Sequence, residues 1–147
     1  MRIDFYLNAK DSLVVACRLA AKAWQESYPC HILVHETQLA MLDTLLWQTP
    51  KDAFLPHVLW EGAELAAPLP PVTLSTGPIF PGAQVLINLM TDIIQPSTSI
   101  IRLLEVIGPS EEEKAAARQR FRHYRTLYGA PTVHDLANKH HGTIKDF

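Results

Sequence analysis

Glycine and cysteine are scarce in this sequence of 147 residues, and glycine is missing where a nucleotide-binding fold would need it. All six glycines lie at Gly62 or later, so the first half of the chain has no glycine-rich loop able to cradle phosphate groups. The two cysteines, Cys17 and Cys30, lack the spacing of a metal site or a disulfide framework. We interpret them as reduced core residues, which is typical of a cytoplasmic protein.

Long apolar runs and a strong charge imbalance are also missing. No apolar stretch approaches the ~20 residues that a membrane span requires, and charge appears at once in Arg2 and Asp4, unlike a signal peptide. The formal net charge is only −2, which excludes a protein that coats nucleic acid with its whole surface. The sequence therefore predicts a cytoplasmic protein without a membrane partner, in which any anion-binding role depends on a local patch.

Hydrophobic periodicity predicts an α/β domain. Short apolar runs at residues 3–7, 31–35, 72–75, 85–89 and 100–107 predict strands, and residues 12–26, 37–47 and 111–128 have helical spacing. Strand–helix–strand–helix order favours a three-layer, Rossmann-like fold with a mostly parallel sheet, flanking helices and no phosphate-binding loop. We predict one domain over residues 1–129, followed by a flexible C-terminal tail over residues 130–147.

No pattern in the sequence indicates an active site. The first strand–helix turn, residues 7–12, contains no glycine, which argues against a dinucleotide fingerprint or a P-loop. The seven histidines do not show the tight spacing of zinc ligands, and no serine lies in a nucleophile elbow. The sequence thus predicts neither catalysis, nor a metal, nor a cofactor.

The last helix concentrates basic residues on one face. Lys114, Arg118, Phe121, Arg122 and Arg125 are spaced at i, i+4, i+7, i+8 and i+11, which places them together on a helix. The helix dipole alone would favour acidic residues at the start and basic residues at the end, but it does not account for an aromatic residue among the cations. Such a face suits a ligand with carboxylates and an apolar group, or single-stranded nucleic acid, and the spacing does not choose between them.

Four segments carry a family resemblance. They are Phe5-Tyr6-Leu7, Leu42-Asp43-Thr44-Leu45-Leu46-Trp47, Phe54-Leu55-Pro56-His57-Val58-Leu59 and Arg118-Gln119-Arg120-Phe121-Arg122-His123-Tyr124-Arg125. In this order and at these separations, the segments resemble the successive signatures of the chi subunits of DNA polymerase III, over about residues 3–129.

The resemblance implies a non-catalytic adaptor. Chi subunits link the clamp-loader complex to the acidic C-terminal tail of single-stranded-DNA-binding protein (SSB), so contact with DNA is mainly indirect. Carried over by position, Lys114, Arg118, Phe121 and Arg122 match the tail-binding residues, and Arg125 extends the same face. Phe121 stands where the family commonly has tyrosine, which keeps the ring and removes a hydroxyl.

The resemblance also implies a second partner surface. Trp47, Phe54 and Pro56 match the region that faces the psi subunit, and a repair helicase or another clamp-loader protein is an alternative partner there. Trp60 adds a further large apolar side chain nearby, and packing of the loop onto the core is an equally good account of both Trp47 and Trp60. Direct binding of single-stranded nucleic acid through the basic helix is the alternative function, and a degenerate nucleotide hydrolase is disfavoured by the glycine-free first turn.

Overall fold

The computed structural model describes residues 1–48 and 55–137. In chain order the elements are β1 (Arg2–Leu7), α1 (Ser12–Gln25), β2 (Cys30–Leu33), α2 (Glu36–Gln48), β3 (His57–Leu59), β4 (Val72–Ser75), β5 (Val85–Asn88), β6 (Arg102–Val106), α3 (Glu111–Tyr128) and β7 (Thr132–Asp135).

The seven strands of the described residues form one parallel sheet, in the order β3-β4-β2-β5-β6-β1-β7. The buried residues of α1 and α2 pack against one face of the sheet, and those of α3 pack against the other face. The prediction of a three-layer, Rossmann-like α/β fold is confirmed. Because every pair of neighbouring strands is parallel, each strand starts at the same end of the sheet as its neighbours.

The side chains of the four central strands are those expected of a buried parallel sheet. Every residue of β2, β4, β5 and β6 is buried, as expected for parallel strands that are covered on both faces. Cys17 and Cys30 are free and buried in the core, and burial raises the pKa of the Cys17 thiol to about 12. Both thiols are therefore core residues of low reactivity.

The two long helices begin where the sequence indicates. The Asp11 side chain accepts a hydrogen bond from the Val14 amide at the start of α1, and Ser110 accepts one from the Glu113 amide at the start of α3. The Glu113 carboxylate accepts in return from the Ser110 hydroxyl and the Gly108 amide. Gly129, with φ of +89°, ends α3, a conformation that favours glycine.

Two strands were not expected. β3 is only three residues long and follows Pro56, so it is too short for alternation to appear in the sequence. β7 lies in the segment that we interpreted as a flexible tail, yet its residues pair with β1 from Asp4 to Leu7. The predicted domain boundary at Gly129 therefore precedes the last strand, and residues 138–147 of the predicted tail lie outside the described residues.

Within residues 1–48 and 55–137, no helix is long and apolar enough to cross a membrane. The same residues contain no cluster of three or more His, Cys, Asp or Glu side chains placed to hold a metal ion.

Candidate partner-binding site

A groove lies between α3 and the edge of the sheet formed by β1 and β7. Its volume is about 230 Å³. It is lined by Phe5, Leu7, Lys114, Ala117, Arg118, Phe121 and Val133. Three elements that are distant in the sequence therefore meet to form one concave surface.

Aromatic and aliphatic side chains form the floor of the groove. The rings of Phe5 and Phe121 meet edge to face, with centroids 5.4 Å apart and planes inclined by 63°. Phe121 is only half-buried, so one side of its ring packs on β1 and the other remains available to a ligand. Phe121 therefore lies between the buried and the exposed residues of α3.

Two of the predicted cations line the groove. Lys114 is half-buried and Arg118 is exposed, and both contribute to its lining. The Arg118 guanidinium lies 3.7 Å from the Glu111 carboxylate, with both side chains largely exposed, so this contact is weak and readily replaced by a ligand anion. Arg122 and Arg125 are exposed on the same helix but do not line the groove.

The wall opposite α3 comes from β7. Val133 is aligned with Phe5 in the parallel register, so both side chains lie on the α3 side of the sheet. The sequence did not predict Val133 as a site residue, because it lies in a polar segment with no strand pattern of its own. Only the pairing of β7 with β1 brings it to the groove.

A buried ion pair fixes the position of α3. Arg120, which the sequence placed only among the basic residues of the helix, is 3% exposed and its Nε donates to Glu105 Oε1 at 3.2 Å. The other Glu105 oxygen accepts from the Tyr124 hydroxyl at 2.8 Å, and both oxygens accept from Asn88. Arg120 also donates to the Thr91 carbonyl. The basic face is thus anchored to β5, β6 and the loop after β5.

The electrostatics of this network follow from burial. Glu105 is completely buried, and desolvation raises the pKa of its carboxyl against the opposing effects of Arg120, Asn88 and Tyr124. Burial, together with the Glu105 carboxylate, also raises the pKa of Tyr124. The network is therefore sensitive to the loss of any hydrogen-bond donor to Glu105.

The predicted second surface lies at the opposite edge of the sheet. Trp47 is 49% exposed, and its ring lies 4.6 Å from that of His57, the residue after the half-buried Pro56. His57 Nε2 lies 2.8 Å from an Asp43 carboxylate oxygen. The structure thus joins two of the four resemblance segments, whereas Phe54 lies outside the described residues.

Trp60 and His31 belong to the core. Trp60 is 9% exposed, packs against Phe80 at 5.5 Å and donates its indole N–H to the Ala63 carbonyl. His31, which we placed at a strand end, is completely buried with its ring nitrogens 2.6 and 2.7 Å from the Thr73 and Ser75 hydroxyls. Packing therefore accounts for both residues.

Sequence comparisons identify the family. The sequence model described as "DNA polymerase III chi subunit, HolC" matches residues 1–130. The chain belongs to this family. The chi subunit match ends between α3 and β7, so it includes both predicted partner surfaces and excludes the strand that carries Val133.

Named relatives agree with the assignment. The DNA polymerase III subunit chi of Pseudomonas aeruginosa is 35% identical over 130 residues, which cover 84% of this chain and 89% of the relative. The protein of the same name in Escherichia coli K12 is 30% identical over 124 residues, with 81% and 80% covered. That of Haemophilus influenzae is 28% identical over 113 residues, with 76% and 78% covered. The resemblance to the chi family is therefore confirmed over most of the chain.

Proposed function

We propose that this chi-family chain is a non-catalytic accessory subunit of the DNA polymerase III holoenzyme in the cytoplasm. It links the clamp-loader complex to SSB during DNA replication by binding the acidic C-terminal tail of SSB. Through the replisome it associates with the nucleoid, and its contact with DNA is mainly indirect.

The observation that carries this proposal is the pairing of an apolar floor with two cations in one groove. Phe121 and Phe5 offer ring surface to an apolar side chain, and Arg118 offers a planar fork that matches a carboxylate. Lys114 supplies a second positive charge at the same rim. We assign direct contact to Lys114, Arg118 and Phe121, and longer-range attraction to Arg122 and Arg125.

Titration with a synthetic peptide tests the proposal. The peptide consists of four aspartates followed by phenylalanine with a free carboxylate, and calorimetry measures its dissociation constant. Arg118→Ala should weaken binding by about 1.5–3 kcal/mol, roughly 10-fold to 150-fold, because it removes a charge-assisted hydrogen bond. Arg125→Ala is the matched control on the same helix, and we expect a change of less than about threefold because that side chain does not line the groove.

The competing ligand is single-stranded DNA. A thymidine oligonucleotide titrated under the same salt conditions should bind much more weakly than the peptide, since the basic residues of α3 neutralise only a few phosphates. Equal affinity for the oligonucleotide would overturn the proposal in favour of direct nucleic-acid binding. Equal losses of peptide affinity in the Arg118 and Arg125 variants would overturn the assignment of the peptide to the groove.

The second end of the adaptor is the surface at Trp47. We propose that Trp47, Phe54 and Pro56 contact the psi subunit or an equivalent clamp-loader protein, with a repair helicase as an alternative partner. The strands β3 and β7 lie at opposite edges of the seven-stranded sheet. At a spacing of ~4.8 Å per strand, the two surfaces are separated by roughly 29 Å, which allows both partners to bind at once.

Trp47→Ala should weaken binding of the cognate clamp-loader partner by about 2 kcal/mol or more, as for a central aromatic residue of an interface. Co-elution and calorimetry with the purified partner measure the loss, and affinity for the acidic peptide should remain unchanged. Trp24→Ala is the matched control because Trp24 is similarly exposed, at 38%, but lies on α1. A similar loss of partner binding in both variants would exclude a specific role for Trp47.

A further inference from the structure

β7 differs from the other strands of the sheet. Three of its four residues are exposed, whereas β2, β4, β5 and β6 are buried throughout. Among residues 1–48 and 55–137 it lies at an edge of the sheet and pairs on one side only, with β1. Burial of its own apolar residues therefore contributes little to holding this strand in place.

The side chain of His134 contributes to holding β7, beside a hydrogen bond that the Asn8 side-chain amide donates to Asp135 at 2.8 Å. The His134 ring stacks on that of Tyr6, with centroids 4.6 Å apart and planes inclined by only 13°. Its Nε2 donates to Asp4 Oδ1 at 2.9 Å. Asp4 is completely buried and also accepts from Arg102 and Arg2, so the acceptor is itself fixed.

The anchor and the groove lie on opposite faces of the same strand. In the parallel register His134 is aligned with Tyr6, and the preceding residue, Val133, is aligned with Phe5. Side chains of successive strand residues alternate between faces. A slip of one residue would exchange the two side chains, placing the histidine in the groove, so the contacts of His134 favour the register in which Val133 forms the wall.

We propose that His134 is a positioning residue for the partner-binding groove. By clamping β7 to Tyr6 and Asp4, it holds Val133 where an apolar side chain of the bound peptide packs. This inference rests on the proposed function, because it assigns the apolar part of peptide recognition to a wall that α3 does not supply. The charged part of recognition, through Lys114 and Arg118, is independent of His134.

Two peptides distinguish the apolar part of recognition from the charged part. One consists of four aspartates followed by phenylalanine, and the other of four aspartates followed by serine, both with a free carboxylate. His134→Ala should weaken the phenylalanine peptide by about fivefold to tenfold, as expected for losing one aliphatic contact, and the serine peptide by less than about twofold. His134→Gln, whose amide can still donate to Asp4, should recover part of the lost affinity.

His123→Ala is the matched control, since His123 is a half-buried histidine of α3 that does not line the groove. Both peptides should bind this variant as they bind the unaltered chain. Equal losses for the two peptides in His134→Ala would show a general structural effect and overturn the assignment, as would no loss for either.

Amide hydrogen exchange tests the anchor without any ligand. His134→Ala should accelerate exchange of the β7 amides and leave those of β6 unchanged, because the lost contacts with Tyr6 and Asp4 hold only the edge strand. Unchanged exchange in β7 would overturn the inference. If the unaltered chain binds neither peptide, the proposed function fails, and the exchange result alone decides whether His134 holds β7.

Discussion

Arg120→Ala is expected to lower the free energy of unfolding by about 3–5 kcal/mol, the range for removing one partner of a buried ion pair. The variant leaves the Glu105 carboxylate completely buried without its arginine partner. Asn88 and Tyr124 would still donate to it, but neither carries a compensating charge. Urea denaturation followed by circular dichroism measures the loss.

Arg118→Ala is the matched control for this prediction. It is the same substitution two residues earlier on α3, at an exposed ion pair with Glu111 that spans 3.7 Å. Exposed pairs contribute about 0–1 kcal/mol, so the two variants should differ by several-fold in their loss of stability. Similar losses would contradict the view that the Glu105–Arg120 pair anchors the helix.

A double variant distinguishes an unpaired charge from a general loss of packing. Replacing both partners, as Glu105→Leu with Arg120→Met, removes the buried charge altogether. Replacement of a buried pair by apolar residues of similar volume is often neutral, although here Asn88 and Tyr124 lose an acceptor. The double variant should therefore be more stable than Arg120→Ala, and a lower stability would contradict the electrostatic explanation.

Stability should also fall as the pH decreases from about 6.5 to about 4, and His31 should account for about 3 kcal/mol of that loss. Burial lowers the pKa of His31 to about 4, against about 6.5 in an unfolded chain. The folded state thus binds fewer protons than the unfolded state between these values, so acid favours unfolding. Above pH 6.5 both states hold a neutral ring and the effect vanishes.

The contacts of the ring explain why it remains neutral. The Phe80 amide donates to Nδ1, which makes that nitrogen an acceptor, and Nε2 then donates to the Ser75 hydroxyl at 2.7 Å. Ser75 in turn donates to the Pro78 carbonyl. A protonated Nδ1 would lose the hydrogen bond from the Phe80 N–H but could still donate to the Thr73 hydroxyl at 2.6 Å, so the loss of hydration on burial is the main cost of charging the ring.

The variant His31→Gln tests this prediction, because a glutamine amide can both donate and accept but does not titrate. Urea denaturation of both proteins at pH 7.5 and at pH 4.5 gives the difference in stability at each pH. Other titrating groups affect both proteins alike, so the change in this difference isolates His31. We expect the advantage of the unaltered chain at pH 7.5 to shrink by about 2–3 kcal/mol at pH 4.5; a constant difference would contradict the assignment.

Local patterns were enough to predict the α/β class, the three helices and the basic face of α3. Helical spacing placed Lys114, Arg118 and Phe121 together, and the structure brings all three to one groove. In the structure that helix spans the residues whose spacing predicted it, with Ser110 and Glu113 capping its start and Gly129 ending it. Such features depend on residues within a few turns of one another, so local patterns reveal them.

Long-range contacts determine which residues complete the groove and what holds them in place. Arg120 has the same local pattern as the exposed arginines around it, and only the position of Glu105 on β6 makes it a core residue. Val133 and His134 lie in a polar segment whose sequence shows no strand, because β7 is stabilised by pairing with β1 and by contacts with Tyr6 and Asp4. These contacts join residues about 130 positions apart, beyond the reach of any local periodicity.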